Sequence, residues 1–358
     1  MKNIDKLTPL ERKRCLELNQ DVDRLPISII ISSAAKYLFS NSLKQDGTIA
    51  ENIAEVQIKI YKECGIDGLE VFYGLNTFGE ILGAEMTQPK IGTPAIRKYP
   101  MKNIIEGKII QPDDFKVEKE QFASTYMEAI KIIRERIGRE VGCGMGFPGV
   151  FSAVASLIGI EKLLVATRKQ PEELHALLKR VNACLINLAK DFLNEDIPVS
   201  ISDPVASGTI LSRKQFREFV LPYAQEFVRE CKKVRAYNIG VHICGDTSKV
   251  LQDIVECGYG SVSLDNVVDL DFAKQKIGNR VHISGNVPPV EIMLLGSTKQ
   301  VEASVKTCYQ KGINSPKGFT INTGCDCPPN TPIENVYAYL RAAKQCAKYP
   351  FSYENLEW

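Results

Sequence analysis

The feature that most constrains this chain is a recurrence. Eight short apolar runs alternate, for the most part, with long amphipathic stretches. The runs are PISIII around Ile27, DGLEVFY around Leu69, VGCGMGF around Cys143, PVSISD around Ser200, IGVHIC around Val241, GSVSLD around Val262, RVHISGN around Ile283 and GFTINTG around Ile321. Each is nearly continuous in apolar residues, which suits a strand covered on both faces and hence a parallel sheet. Between them, LSRKQFREFVLPYAQEFVRECKKV sets Phe216, Phe219, Val220 and Tyr223 on one helical face. Eight such units in one chain of 358 residues predict an α/β fold, a closed (β/α)8 TIM barrel spanning 1–358 as a single domain. The competing arrangement is an open doubly wound sheet. It would carry a glycine-rich turn after an early strand, and the nearest candidate, GCGMGFPG at Gly142–Gly149, misses the G-x-G-x-x-G spacing.

Helix-start signals agree with this layout. Ser212 to Gln215 and Ser297 to Gln300 fit S-x-x-Q capping boxes, and Thr331, Pro332 and Glu334 read as cap, first-turn proline and capping-box acid. Residues of about 1–24 form a helical extension ahead of the first strand. Residues 73–118 carry Pro89, Pro94, Pro100 and Pro112 and are too long for a plain connection, so they are expected to form a rim or lid insertion at the barrel mouth.

Charge excludes some partners. With 45 Lys plus Arg against 43 Asp plus Glu, the chain has no field to gather nucleic acid or an anionic membrane. No apolar run approaches the roughly 18 residues a membrane helix requires. The opening MKNIDKLTPLERKRC lacks the apolar centre of a signal peptide, so a cytoplasmic location is expected. The 11 cysteines are scattered, without the spacing of a disulfide scaffold. Most are expected to be small buried hydrophobes in a reducing or anaerobic cytoplasm.

The strand ends carry the chemistry. The fourth run stops at Asp203, the fifth at His242 and Cys244, the sixth at Asp265, the seventh at Asn286, and the eighth runs into Cys325. In a barrel these ends converge on one mouth, where active sites are built. His242 and Cys244 are two apart, so both side chains leave the same face of their strand. With Cys325 they offer one nitrogen and two sulfurs, a set that suits Zn²⁺ with one exchangeable position and disfavours Mg²⁺ or Ca²⁺. Alternatives stay open. Cys327 is the second choice to Cys325. Asp265 reads as a fourth ligand or as an orienting partner of His242. His282 reads as a spare ligand or as a satisfied strand histidine. Asp203 reads as a proton acceptor or substrate contact, or as a turn before Pro204. Asp246 reads as a helix cap.

These residues carry a resemblance. VHICGD, VSLDNVVDL, HISGNVPP and NTGCDCPPNTPIENVYAYLRAAK, with ISDPVASGTILSRKQFREFVLPY upstream, look like the uroporphyrinogen decarboxylase superfamily. The likeness is nearer to its zinc-dependent corrinoid methyltransferase branch, the methylcobalamin:coenzyme M and chloromethane or methoxy-arene methyltransferases. It runs from about residue 140 to 347. The resemblance implies that His242, Cys244 and Cys325 bind zinc; Asp203, Asp265 and Asn286, at the neighbouring strand ends, are the expected catalytic residues. The resemblance also implies that a methyl group passes between a cobalamin and a small thiol or methyl donor. Corrinoid proteins of this kind carry a D-x-H-x-x-G loop. None is present, and His175 in PEELHALLKR reads as part of an exposed helix, so the cobalamin is expected on a separate corrinoid protein. A metal-free lyase acting on a tetrapyrrole is the alternative. The first run, PISIIISSAAKYLFS, lacks the arginine pair that porphyrin carboxylates call for. A third reading is a catalytically idle barrel that serves as a scaffold for a partner.

Overall fold

The computed structural model describes residues 5–39, 46–89, 91–350 and 356. Seven of the eight expected runs are strands of one parallel sheet. They are β1 (Leu69–Phe72), β4 (Cys143–Pro148), β5 (Val199–Ser202), β6 (Gly240–Ile243), β7 (Ser261–Leu264), β8 (His282–Val287) and β9 (Phe319–Thr323). They neighbour one another in chain order. The registers pair Met145 with Val199, Ser202 with His242, and Asn286 with Asn322. Chain-order parallel neighbours are what repeated strand–helix units produce.

The first run departs from expectation. Around Ile27 there is only an isolated parallel bridge, Ile27 to Ile321. Pro26 brings no N–H, and side chains take bonds that a neighbouring backbone would otherwise accept. Ile27 N donates to Asp67 Oδ2 at 2.8 Å and Ile30 N to Thr323 Oγ1 at 3.0 Å. Two backbone bonds remain: Ser28 N to Ile321 O at 3.1 Å and Asp67 N to Ile27 O at 3.2 Å. The segment therefore bonds to β9 on one side and to the approach to β1 on the other.

The chain packs as two compact units. One comprises Met1–Val71, Glu128–Gly144 and Ser263–Trp358. Residues 1–4 of the expected N-terminal extension lie outside the described residues. The described part forms a helix, Pro9–Glu17, started by a Thr8–Glu11 capping box. Arg12 and Arg24 are 0 % and 1 % exposed. Burial that complete is tolerated only because carboxylates surround both guanidinium groups. Arg12 bonds Asp23 at 2.7 Å and also Asp67; Arg24 bonds Asp5 and Asp67 at 2.5 Å each. Helices Thr298–Gly312 and Ile333–Cys346 pack on each other, and the former also on β8 and β9. The Ser297–Gln300 box starts the former as expected. The latter begins one residue later than its signals suggest, with Pro332 as the cap position. The reason is local: Thr331 Oγ1 donates to Pro328 O at 2.7 Å and so is spent on the preceding turn.

The other unit comprises Phe72–Met127 and Met145–Val262. Its core helices are Val150–Ile158, Ile160–Lys169, Pro171–Asn194 and Leu221–Val234. Every residue of Val150–Ile158 is buried. The Ser212–Gln215 capping box starts helix Arg213–Phe219. Residues 73–89 and 91–118 belong to this unit: Tyr73, Phe78, Ile104, Ile110 and Phe115 are buried, whereas the described residues between 81 and 100 are half-buried or exposed. They include a short antiparallel pair, β2 (Glu85–Met86) with β3 (Ile96–Lys98). Phe78 stacks on Phe115 with centroids 4.2 Å apart, and Tyr73 meets Phe147 at 5.7 Å. A Cβ on Gly79 would lie 2.3 Å from the Ser156 carbonyl oxygen, so only glycine permits that approach. Among the described residues, no single helix is long and apolar enough to cross a membrane.

Candidate metal centre

β6 alternates strictly. Val241 and Ile243 are buried at 3 % and 4 % exposure, while His242 and Cys244 are half-buried on the opposite face. Their close approach is real: Cys244 Sγ lies 3.3 Å from His242 Nε2. The strand stops because Gly245 turns with φ +77°. A side chain there would also meet Ser207 Oγ at 2.7 Å. Asp246 follows and accepts a bond from Ser248 N at 2.9 Å, a turn that precedes helix Leu251–Glu256. Those bonds from Ser248 hold its carboxyl below the usual range.

Asp203, just beyond β5, donates its backbone N–H to the carbonyl oxygen of His242 at 2.9 Å. Its side chain is only 4 % exposed. The carboxylate accepts Ser152 N at 2.9 Å and Ser152 Oγ at 2.5 Å, at the start of helix Val150–Ile158. It therefore satisfies N–H groups that the first helical turn leaves unpaired. Gly149 is required beside it, since a Cβ there would lie 2.2 Å from Asp203 Oδ2. Burial pushes this carboxyl up to about 6, against the downward pull of the Ser152 and Phe151 bonds. The partnership with Ser152 was not foreseen in the sequence. A serine two residues into the helix after β4, facing an acid at the next strand end, is the available signal.

In the first unit, Asn286 at the end of β8 clamps the loop after β7. Its Nδ2 donates to Asp265 O at 2.9 Å and to Val268 O at 2.7 Å, while Oδ1 accepts from the Cys308 thiol at 3.7 Å. Asp265 Oδ1 accepts from Val267 N at 3.2 Å. His282 sits at the opposite end of β8. Its ring bonds Thr320 Oγ1 at 2.9 Å and Lys317 O at 3.3 Å, and burial lowers its pKa. It is a satisfied strand histidine.

β9 leads through Gly324 into Cys325. Gly324 N donates to Val287 O at 2.8 Å, and a Cβ on Gly324 would lie 2.5 Å from Asn266 N. Cys325 is half-buried, whereas Cys327 is fully buried, and burial drives its thiol above the usual range. Of the 11 cysteines, eight are buried, and only Cys15, Cys244 and Cys325 keep part of their surface. Asp326, between the two, was not singled out by its sequence context. Burial pushes its carboxyl up while bonds from Ser33 pull it down. His175, expected on an exposed helix, is helical but half-buried. It stacks on Phe219 at 4.8 Å and lies 2.7 Å from the Tyr223 hydroxyl. The sequence pattern around it hid that tertiary contact.

A parallel α/β sheet with polar residues at successive C-terminal strand ends defines a class of proteins that build their sites there. Within that class, the sequence matches the uroporphyrinogen decarboxylase (URO-D) family over residues 14–346, and the chain belongs to that family. It is 25 % identical over 327 residues to the methylcobamide:CoM methyltransferase MtaA of Methanosarcina barkeri, covering 90 % of this chain and 93 % of that one. It is 25 % identical over 348 residues to the methylated-thiol–coenzyme M methyltransferase of Methanosarcina mazei, covering 96 % and 90 %. The fold is that of a solved methyltransferase from Methanosarcina mazei, with TM-score 0.81, 24 % identity, and 94 % and 98 % of the two chains covered.

Proposed function

We propose that this protein is a zinc-dependent methyltransferase. It moves a methyl group between a cobalamin carried by a separate corrinoid protein and a small substrate, a thiol or a methoxylated aromatic or other methyl donor. The names of MtaA and of the methylated-thiol enzyme, each similar over nine-tenths or more of this chain, support the methyl chemistry. The observation that carries the zinc reading is the donor set. One ligand atom each from His242, Cys244 and Cys325 lies within 4.8 Å of the others. Tetrahedral zinc with bonds of about 2.3 Å to sulfur and 2.0 Å to nitrogen spaces its ligands roughly 3.5–3.8 Å apart. The His242–Cys244 separation of 3.3 Å falls close to that.

Zinc bound there would supply Lewis acidity, holding a thiol substrate as thiolate or polarising the heteroatom of a methyl donor. The chain's own residues orient the ligands. Strand alternation aims His242 and Cys244 from one face, and Asp203 N–H holds the His242 carbonyl. Asn286 anchors the loop bearing Asp265, which stands as a further ligand or orienting group. Of the catalytic trio, Asp203 and Asn286 have side chains committed to neighbours, so their part is positioning. Approach of two reactants along one line makes such positioning much of the catalysis.

The same reading takes the segment around Ile27 as the eighth stave, closing a (β/α)8 barrel as one domain. Its bonds to Ile321 and Asp67 support that closure. Residues 73–118 then border the mouth, and the protein works in the cytoplasm. The test is metal content and cobalt spectroscopy on the purified protein. Near-stoichiometric zinc, its loss in Cys244→Ala, and methyl transfer to or from free cobalamin with a thiol or methoxy-arene panel are expected. A zinc-free protein that decarboxylates a tetrapyrrole would replace this reading with the lyase.

A further inference from the structure

Cys325 occupies a turn between two prolines and a strand end, and such turns are mobile unless tied down. Here the ties flank it closely. On the near side, Gly324 N bonds Val287 O at 2.8 Å. On the far side, Cys327 N bonds Ile30 O at 2.9 Å. Between them, the Asp326 carboxylate accepts three bonds from one residue of a distant segment. They are Ser33 N to Oδ1 at 3.3 Å, Ser33 N to Oδ2 at 3.0 Å, and Ser33 Oγ to Oδ2 at 2.5 Å. Ser33 stands in helix Ser32–Leu38, which follows the Ile27 segment directly. Residue 30 reaches the same place through Thr323 Oγ1 at 3.0 Å. A carboxylate bonded this fully fixes the backbone on either side of it, and one of those sides is Cys325.

We infer that Asp326 and Ser33 form a lock that positions the Cys325 sulfur for metal, so that Asp326 is a positioning residue of the centre and not a ligand. The inference rests on the zinc reading above. A thiolate must sit within about 0.2 Å of its place to bind zinc well, and side chains that hold metal ligands are worth 10–100-fold in affinity. An amide at position 326 still offers Oδ1 to both Ser33 donors, whereas alanine offers nothing.

The test titrates metal-stripped full-length protein with Co²⁺ and reads the thiolate-to-metal absorbance. Asp326→Ala should weaken binding roughly 10–100-fold and lower the thiolate band per bound ion. Ser33→Ala, which keeps the backbone donor, should weaken it about fivefold. Asp326→Asn should stay within about threefold of the parent. Parent-like affinity in Ser33→Ala or Asp326→Ala overturns the lock, as does an Asp326→Asn variant as weak as the alanine. A lowered thermal midpoint with an unchanged spectrum per bound ion also overturns it, because that is a purely structural role. If Asp326→Ala does not fold, Ser33→Ala and Asp326→Asn decide the matter between them. A parent protein that takes up no cobalt removes the zinc reading itself, and the lock falls with it.

Discussion

Replacing Asp67 with alanine should destabilise this protein severely. The Asp67 side chain is 8 % exposed and serves three donors at once. It accepts Arg24 Nη1 at 2.5 Å, Ile27 N at 2.8 Å, and an Arg12 nitrogen. Both arginines are buried, so water cannot replace what alanine removes. Breaking a buried ion pair from one side costs about 3–5 kcal/mol. Arg12 keeps Asp23 and Arg24 keeps Asp5, which moderates the loss. The buried Ile27 amide is left bare, which adds about 1–3 kcal/mol. A net cost of about 4 kcal/mol is expected, a large part of a typical folding free energy. Glu85→Ala is the control. Its partners Arg97 and Lys98 are 73 % and 71 % exposed, and such solvent-screened surface pairs contribute little to stability. Urea unfolding reads both as shifts of the midpoint at constant slope. An Asp67→Ala midpoint indistinguishable from that of Glu85→Ala would refute the reasoning, including the role of Asp67 in seating the Ile27 segment.

Three further outcomes are expected. Asp203 binds its proton up to about 6 when folded and only to about 3.8 unfolded, so the fold holds more protons between those values and loses stability as pH rises through them. Asp203→Asn keeps an acceptor for Ser152 and should flatten that slope, gaining up to about 3 kcal/mol at neutral pH; urea midpoints between pH 4 and 7 measure it. His282→Gln should leave zinc content unchanged, and because burial lowers the His282 pKa, it should also reduce the stability lost as pH falls below the ordinary histidine value. Gly79→Ala should cost about 1–3 kcal/mol by driving a methyl into the Ser156 carbonyl, seen as a lowered thermal midpoint.

Much of the fold was legible because apolar runs report burial directly. Seven runs became strands in the expected order, and the serine capping boxes at Ser212 and Ser297 formed as read. The Ile27 run was harder. Its composition is that of a strand, but Asp67 and Thr323 lie far away in the chain and take over its amide bonds. Thr331 misled for a similar reason, its hydroxyl being claimed by Pro328.

At the centre, sequence alone determined which residue types arrive at strand ends and which of them share a face. Period-two alternation places His242 with Cys244, and that depends on nothing beyond the strand. What each polar group then does was decided by tertiary structure. Asp203 caps a helix through Ser152, Asn286 clamps a loop, His282 is satisfied by Thr320, and Asp326 ties down its turn through Ser33. A carboxylate, amide or imidazole acts on whichever donors and acceptors packing brings within about 3 Å, and those belong to segments remote in the chain.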